Sequence, residues 1–194
     1  MKEGPVEALK EIIERVSETI KEGTVLDAYL AGGIATYIHV ESKLAGKEPY
    51  RYSEDVDIYF ARGLSLPDEI VVTYKDHDGE VRALMLDRNY NPELGPRHPD
   101  ALTDATTLFH SRNGRIQLKI LTPVDLAVTK SGRFQDHDRE DIELLARCGL
   151  LEADAYEARA KVAVDYLATD PKPVLANIQD AVGLIRRSKR IRAR

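Results

Sequence analysis

Alternating stretches of helical and strand periodicity predict a mixed α/β protein. Apolar positions at helical spacing over residues 5–22 predict a leading helix that ends at Gly23. The apolar run at residues 25–30 then predicts a strand, and after a glycine turn the helical spacing continues to about residue 45. Strand character returns at residues 55–60, so the first third of the chain has the order helix, strand, turn, helix, strand.

The middle of the chain predicts further strands. Residues 69–86 are typical of a hairpin whose turn is Asp-His-Asp-Gly at 76–79, because Asp-Gly favours tight turns between strands. An irregular loop with four prolines lies between residues 92 and 123, and alternation at 116–120 predicts one strand within it. We therefore interpret the Asp-His-Asp-Gly group as a turn and not as a metal site.

Only helical periodicity follows residue 123. Thr122 and Pro123 indicate a helix start, with a capping threonine and a proline in the first turn. Two later helical stretches, 150–167 and 174–185, are separated by a proline-containing breaker at 170–173. The pattern thus predicts a sheet with helices first and a purely helical region afterwards.

Composition limits the size of the core and the class of protein. The 194 residues, 43% hydrophobic and 31% charged, are enough for one sizeable core at residues 1–122 and a smaller helical region at 123–194. The start is charge-rich and amphipathic, and no apolar run approaches the ~20 residues of a membrane span. The single cysteine, Cys148, has no partner for a disulfide or a Cys-x-x-Cys site and is expected to be a small buried hydrophobe. We therefore expect a cytoplasmic protein.

Two acids one residue apart are the strongest chemical signal. Asp55 and Asp57 lie in a predicted strand and should project from the same face. Such carboxylates repel each other unless a hard cation such as Mg2+ lies between them. Upstream, Gly32-Gly33 separates a strand from a helix, where backbone N–H groups are suited to phosphate oxygens. For the acid pair alone, a solvated strand edge is the alternative.

These motifs, in this order, resemble the polymerase-β-type nucleotidyltransferase superfamily. The likeness rests on Leu30-Ala31-Gly32-Gly33, a helix with His39, and Arg51-x-Ser53-x-Asp55-x-Asp57. Within the superfamily the chain is most similar to the AbiEii-like and DUF6036 group, which includes nucleotidyltransferase toxins of bacterial toxin–antitoxin and abortive-infection systems. Looser likeness at residues 85–106 and 121–145 extends the resemblance to roughly residues 25–150.

The resemblance implies an α/β (α+β) fold with a nucleotidyltransferase-type mixed β-sheet flanked by helices and a helical C-terminal region. It implies transfer of a nucleoside monophosphate from an NTP to an acceptor, with release of pyrophosphate. Mg2+ (or Mn2+) would be held by Asp55 and Asp57. Ser53 would hydrogen-bond a phosphate or fix the turn. The residues implied to bind nucleotide are Gly32, Gly33, Arg51, Ser53, Lys130, Arg133 and Asp138.

Several of the remaining candidates also have structural explanations. Asp87 is the candidate third carboxylate and base, and a turn-initiating role is its alternative. Lys130, also a candidate catalytic residue, and Arg133 share one face of a predicted helix, where they would reach a triphosphate or be exposed cations. Asp138 and Asp141 would approach the active site by family likeness. Locally, Asp138 would be an N-cap with Asp141 in the first turn.

Charge narrows the choice of partners. The net charge of −5 argues against a general nucleic-acid surface, but a basic tail carries six cations in the last nine residues: Arg186, Arg187, Lys189, Arg190, Arg192 and Arg194. This tail could contact RNA, an acidic antitoxin or substrate phosphates, or be a solvated helix end. The favoured acceptor is RNA such as tRNA, or a protein. The alternatives are a small-molecule, antibiotic-type acceptor and a non-catalytic protein of the same fold that binds nucleotide or a partner.

Overall fold

The structure is a computed structural model that describes residues 2–44 and 53–192, with side chains through residue 188. Within these residues the protein has an α+β fold with six α-helices and two mixed four-stranded sheets. In chain order the elements are β1 (Lys2–Glu3), α1 (Pro5–Glu18), β2 (Leu26–Leu30), α2 (Gly32–Leu44), β3 (Asp55–Val56), β4 (Ile58–Phe60), β5 (Val71–Lys75), β6 (Val81–Leu86), β7 (Thr106–His110), β8 (Ile116–Ile120), α3 (Pro123–Lys130), α4 (Asp136–Arg147), α5 (Ala153–Val164) and α6 (Lys172–Arg192).

Residues 55–60 contribute an edge strand to each of the two sheets. One sheet has the strand order β1-β5-β6-β3 and the other the order β4-β2-β8-β7. β3 runs parallel to β6, β4 runs antiparallel to β2, and β2 runs parallel to β8. The chain changes sheets at Asp57, whose backbone carbonyl accepts the Ala31 N–H at 2.9 Å. The single mixed sheet that the sequence predicts is therefore two sheets.

Helix α1 covers the strands of the first compact unit, which contains residues 2–35, 53–90 and 105–120 of the described chain. The helix packs against β5, β6 and β8. Its fully buried apolar residues are Ala8, Leu9, Ile12, Ile13 and Val16. Their spacing of three and four residues places them on one helical face, as the sequence predicts.

The end of α1 differs from the prediction, because the helix stops well before Gly23. Thr19 Oγ1 donates to the Val16 carbonyl at 2.8 Å, and Arg115 donates to the Ile20 carbonyl at 2.8 Å. Side chains thus bind carbonyl groups that would otherwise serve a longer helix. Since Arg115 is 95 residues from Ile20 in the sequence, local periodicity does not reveal this contact.

Strand β7 lies in the stretch that the sequence predicts as an irregular loop. It is an edge strand, and Thr106, Thr107 and His110 are exposed. Its pairing with β8 is irregular between Thr107 and Phe109. A strand with so little burial and a shifted register lacks the alternation by which strands are recognised.

The predicted hairpin turn at residues 76–79 is confirmed. Asp76 Oδ1 accepts the N–H groups of Asp78 at 3.0 Å and Glu80 at 2.9 Å, and Arg82 binds its other oxygen at 2.9 Å. Burial favours the neutral carboxyl group, but these hydrogen bonds outweigh it and lower the pKa of Asp76. The carboxylate therefore organises the turn between β5 and β6.

The second compact unit contains residues 36–44, 91–104 and 121–192 of the described chain. Within it α6 packs against α4 and α5, and α3 packs against α5. The predicted start of α3 is confirmed, because Thr122 accepts the Asp125 N–H at 3.2 Å and Pro123 lies in the first turn. None of the helices in the described residues has the length and apolar composition needed to cross a membrane.

Candidate functional site

The turn between β2 and α2 brings Asp57 directly over the start of the helix. Gly32 is the first residue of α2 and has a φ of +67°, a left-handed conformation that favours glycine. A Cβ atom on Gly32 would overlap the Asp57 carboxylate, whose Cγ atom lies 2.7 Å from that position. Both the backbone angle and the approach of Asp57 therefore require glycine here.

The two acids share one side of residues 55–60. Asp55 is exposed and Asp57 is half-buried, whereas Val56 and Ile58 are buried. Tyr59, the next residue on the side of the acids, is also half-buried. This alternation places both carboxylates on the side away from the core, as the strand pattern predicts.

Ser53 orders the backbone beside the first acid. Its Oγ atom donates to the backbone carbonyl of Asp55 at 3.0 Å. Of the two roles that the resemblance implies, this hydrogen bond corresponds to fixing the turn. Arg51, the other candidate in this segment, lies outside the described residues.

The pairing of β3 with β6 ends one residue before Asp57 and one residue before Asp87. The two strands are parallel, with Asp55 opposite Met85. The register ends with Val56 opposite Leu86, and the Asp87 N–H donates to the Val56 carbonyl at 3.0 Å. Asp87 Oδ1 also accepts the Asn89 N–H at 2.8 Å, which is the turn role considered as its alternative. The Asp87 carboxylate therefore makes the turn contact, while the Asp87 backbone is bonded to the strand that begins at Asp55.

The carboxylates of Asp55 and Asp57 are suitable ligands for a hard divalent cation. Mg2+ commonly takes only one or two carboxylates from a protein and fills its other positions with water and phosphate oxygens. Asp55 and Asp57 can supply two. In the part of the chain that the structure describes, no group of three or more His, Cys, Asp and Glu residues is placed to hold a metal ion. A cation bound by these two carboxylates would take its other ligands from water or phosphate oxygens.

Lys130 is the centre of a buried charge cluster in the second unit. Its Nζ atom lies 2.5 Å from Asp141 Oδ2 and 3.8 Å from Asp138 Oδ1, and these three side chains are at most 7% exposed. Arg133, 64% exposed, donates to the two oxygens of Asp138 at 2.9 and 3.0 Å. Two cations face two carboxylates, so these contacts balance the charges within the cluster and tie α3 to α4.

The predicted helical positions in this region are wrong. α3 ends at Lys130, so Arg133 lies in the connection to α4 and not on a shared helix face. Phe134, with a φ of +52°, interrupts the helical backbone. Gln135 is the N-cap of α4, and Asp138 accepts its N–H at 3.1 Å from within the first turn. Binding of phosphate by Lys130, Arg133 or Asp138 remains a prediction.

His39 and Cys148 are two further residues that the sequence analysis considered. His39 Nε2 lies 2.8 Å from the Leu121 carbonyl, a contact in which the ring nitrogen donates. Burial lowers the pKa of His39, so its imidazole is neutral near pH 7. Cys148 is the C-cap of α4 and half-buried, which corrects the expectation of a small buried hydrophobe.

A group of polar and aromatic side chains on β4, β2 and β8 is not evident from the sequence. Tyr29 lies opposite Tyr59 on one neighbouring strand and opposite Lys119 on the other. The Tyr29 and Tyr59 ring centroids are 6.2 Å apart, and Lys119 Nζ lies 5.5 Å from the Tyr29 ring centroid. Asp27 accepts hydrogen bonds from Lys119 at 2.8 Å and from the Tyr29 hydroxyl at 3.3 Å. In the sequence, the only sign of this group is that polar residues or tyrosine occupy every second position of β2 and β8.

These contacts shift two pKa values. The hydrogen bond to Asp27 raises the pKa of Lys119, so the ammonium group stays charged. Burial, together with the Asp27 carboxylate, raises the pKa of Tyr29, so its hydroxyl remains protonated. The neutral Tyr29 ring thus lies beside a paired cation and anion.

The basic tail begins within α6, which continues to Arg192. Arg186 pairs with Asp154 at 3.0 Å, and both side chains are exposed. Exposed pairs of this kind contribute little to stability. The contacts predicted for the tail remain predictions.

Comparisons with known proteins give no assignment for the chain. No family model matches it, no curated protein matches it, and no solved structure matches it. The α+β fold class is therefore established by the architecture described above. A function has to be argued from the residues that this architecture brings together.

Proposed function

We propose that the protein is a metal-dependent nucleotidyltransferase that transfers a nucleoside monophosphate from an NTP to RNA, such as tRNA, or to a protein. The observation that carries the proposal is the position of the Asp57 carboxylate over Gly32, at the N-terminus of α2. Carboxylate ligands for a cation are thereby next to backbone N–H groups suited to phosphates. A cytoplasmic toxin with a cognate antitoxin is the biological setting that the sequence resemblance implies.

The first turn of α2 would bind the triphosphate. Its N-terminal N–H groups and the positive end of the helix dipole favour anions. The Asp57 carboxylate is itself an anion at that place and would repel the phosphates. Mg2+ bound by Asp55 and Asp57 would neutralise this repulsion and the charge that develops on the phosphate oxygens. Nucleotide affinity is therefore expected to depend on a divalent cation.

The transfer step requires an attacking hydroxyl group on the acceptor. Its oxygen forms a bond to the α-phosphorus, the bond from that phosphorus to the oxygen bridging to the β-phosphate breaks, and pyrophosphate leaves with the electron pair. The hydroxyl proton goes to a base. Asp87, whose N–H donates to the carbonyl of Val56 between the two acids, is the side chain we assign to that role.

Transfer of label from an NTP to an acceptor tests the proposed function. Purified protein is incubated with each α-labelled NTP, Mg2+ and a mixture of cellular RNA and protein. Asp57→Asn keeps the side-chain volume and removes a charged ligand, and Asp78→Asn, at an exposed hairpin carboxylate, is the matched control. We expect transfer by the wild type and by Asp78→Asn, and a loss of about 100-fold or more in Asp57→Asn.

The labelled product identifies the acceptor. Label in RNA or in protein selects between the two favoured classes, whereas NTP consumption without label in either selects a small-molecule acceptor. Equal transfer by the wild type and Asp57→Asn would show that the metal-ligand assignment is wrong.

A nucleotide-binding protein without turnover is the second candidate. It is favoured by the lack, among the described residues, of a three-acid group placed for a metal ion, and by the turn contact that Asp87 makes to Asn89. Nucleotide binding that requires Mg2+ but leads to no transfer to any acceptor would select this candidate.

A further inference from the structure

One side of the hairpin formed by β5 and β6 is exposed and largely apolar. Helix α1 packs against these two strands from the other side, where alternate residues are buried: Val72, Tyr74, Leu84 and Leu86. The residues between them point away from α1. Of these, Val81 is 59% exposed and Met85 is 40% exposed. We call this surface the outer face, and its residues are Val71, Thr73, Lys75, Val81, Ala83 and Met85.

The outer face is more apolar than a solvated sheet surface. An antiparallel sheet with one side in water normally alternates apolar residues towards the core with polar residues towards the solvent. The three outward residues of β6 are instead Val81, Ala83 and Met85, and Val71 lies directly opposite Met85. Since β6 lies between β5 and β3, this apolar run is inside the sheet and not at its edge. Contiguous exposed apolar side chains are typical of a surface that another molecule covers.

The outer face is continuous with the acid pair. Asp55 is exposed and lies opposite Met85 in the register of β3 with β6, so its carboxylate is on the same side of the sheet. Val81 is four residues from Met85, about 13 Å along the strand. A molecule that covers the outer face would therefore have one end beside a cation held by Asp55 and Asp57.

The chemistry of the outer face favours a polypeptide over RNA. Sites for single-stranded RNA combine cations with aromatic side chains on which bases stack. The outer face has no aromatic residue, and Lys75 is its one cation. Two exposed carboxylates, Glu54 directly before β3 and Glu69 two residues before β5, would repel phosphates at the Asp55 end. Apolar side chains, methionine among them, are enriched in the cores of protein interfaces.

We propose that the outer face binds a protein acceptor, through a segment with apolar side chains and with lysine or arginine residues directed towards Glu54 and Glu69. The inference rests on the proposed function for the transfer step, and of the two acceptor classes it selects protein. The hydroxyl oxygen of an acceptor Ser, Thr or Tyr would form the bond to the α-phosphorus. Pyrophosphate would leave with the electron pair of the broken bond, and the hydroxyl proton would go to a base. Association of the basic tail with RNA is a separate prediction.

Two variants place a cation on the outer face. Val81→Lys is the main variant, because Val81 is too far along the strand from Met85 to act on Asp55 by contact. Met85→Lys is the second variant, at the end of the face next to Asp55. Val25→Lys is the matched control, since Val25 is a valine of similar exposure, 65%, outside the outer face. Circular dichroism establishes that each variant is folded.

Transfer is measured for the wild type and the three variants with α-labelled NTP, Mg2+ and a mixture of cellular RNA and protein. We expect label in protein. Its initial rate of incorporation should be about tenfold lower in Val81→Lys and Met85→Lys, because a lysine on the outer face would interrupt apolar contacts and repel a basic segment. Val25→Lys should match the wild type. Val81→Lys should also keep the wild-type affinity for a non-hydrolysable NTP analogue, since only docking of the acceptor is changed.

Defined peptides test the outer face without the transfer step. Two fluorescent peptides of equal length carry one serine and alternate valine with lysine in the first peptide and with glutamate in the second. In anisotropy titrations the wild type and Val25→Lys should bind the lysine peptide more tightly than the glutamate peptide. Val81→Lys should lose about tenfold in affinity for the lysine peptide. Equal binding of the two peptides by the wild type contradicts the charge complementarity.

Three other results would overturn the proposal. These are label in RNA but not in protein, equal labelling of protein by Val81→Lys and Val25→Lys, and a wild-type dimer that becomes a monomer in Val81→Lys. The last result, measured by sedimentation, would assign the outer face to a second copy of the chain. Failure of the proposed function gives a different result, because the wild type and Asp57→Asn would then transfer label equally or not at all, whatever the peptides show.

Discussion

At the scale of single residues, Gly32 and Asp57 occupy adjoining space. We predict that Gly32→Ala is destabilising by about 2 kcal/mol and abolishes nucleotide binding, because its Cβ would displace the Asp57 carboxylate and its backbone would be strained. Gly114→Ala is the matched control, since Gly114 has a similar φ of +70° and a Cβ there would meet no atom within 4 Å.

Urea unfolding and nucleotide titration separate the two effects. Gly114→Ala should lower the free energy of unfolding by about 1 kcal/mol, which is the part due to backbone strain, and should keep nucleotide affinity. If Gly32→Ala and Gly114→Ala behaved alike in both measurements, the approach of Asp57 would have no consequence for the site.

Tyr156 gives a prediction about alkaline pH. Burial raises the pKa of Tyr156 to about 12, against a hydrogen bond with Ser131 that lowers it, and its hydroxyl lies 2.5 Å from Ser131 Oγ. A raised pKa contributes stability that is present below the unfolded-state value near 10 and is lost as pH rises towards 12. At pH 11 the free energy of unfolding of the wild type should be about 1.4 kcal/mol lower, because of this hydroxyl group, than at pH values well below 10.

The variant Tyr156→Phe lacks the titrating hydroxyl. We expect it to be about 1 kcal/mol less stable than the wild type at pH 8, because the hydrogen bond to Ser131 is absent, and to be at least as stable as the wild type at pH 11, where only the wild type has lost the contribution of the hydroxyl group. Unfolding free energies at the two pH values provide the check. A deficit that stays constant between pH 8 and pH 11 would contradict the shifted titration.

At the scale of secondary-structure elements, the junction of α3 and α4 depends on a buried ion pair. We predict that Lys130→Met destabilises the protein by about 3 kcal/mol, because Asp138 and Asp141 would remain buried near each other without the lysine. Arg133→Ala should cost less than about 1 kcal/mol, since the guanidinium group is 64% exposed and its pairing is screened by solvent. Thermal unfolding of both variants tests this, and a mild effect of Lys130→Met would favour a ligand-binding lysine over a structural one.

The same junction shows which elements sequence alone defines. The start of α3 follows from Thr122 and Pro123, whose capping chemistry is local, and it was predicted correctly. The shared helix face of Lys130 and Arg133 was not correct, because the positive φ of Phe134 is not encoded in hydrophobic spacing. Strand β7 was missed for a related reason, since an exposed edge strand has no alternating pattern.

At the scale of the whole molecule, the acidic chain ends in a concentration of positive charge. Replacing the six tail cations by serine is predicted to weaken association with RNA and to reduce its salt dependence. The slope of log affinity against log salt should fall by about 0.7 for each RNA phosphate that the tail no longer neutralises. Anisotropy titrations of labelled RNA over a range of salt concentrations measure this slope. An unchanged slope would mean that the tail is only solvated.

Part of the candidate site could be proposed from the sequence because that part is local. Gly32, Asp55 and Asp57 belong to short motifs, whereas the backbone hydrogen bond from Asp87 to Val56 forms only when β3 and β6 pair. The group formed by Tyr59, Tyr29 and Lys119 on β4, β2 and β8 could not be recognised in the same way. It forms only when strands that are far apart in the sequence pair, and no spacing rule links Tyr59 to Lys119.

The change of sheet within residues 55–60 limits how the chain can vary in length. Because side chains alternate along this segment, deleting one residue between Asp55 and Tyr59 would turn either the acids or the tyrosine towards the core. It would also shift one edge strand relative to its sheet. Natural insertions and deletions in related chains should therefore avoid this segment and occur in the loop after it, between Phe60 and Val71, where nothing in the sheet register depends on the number of residues.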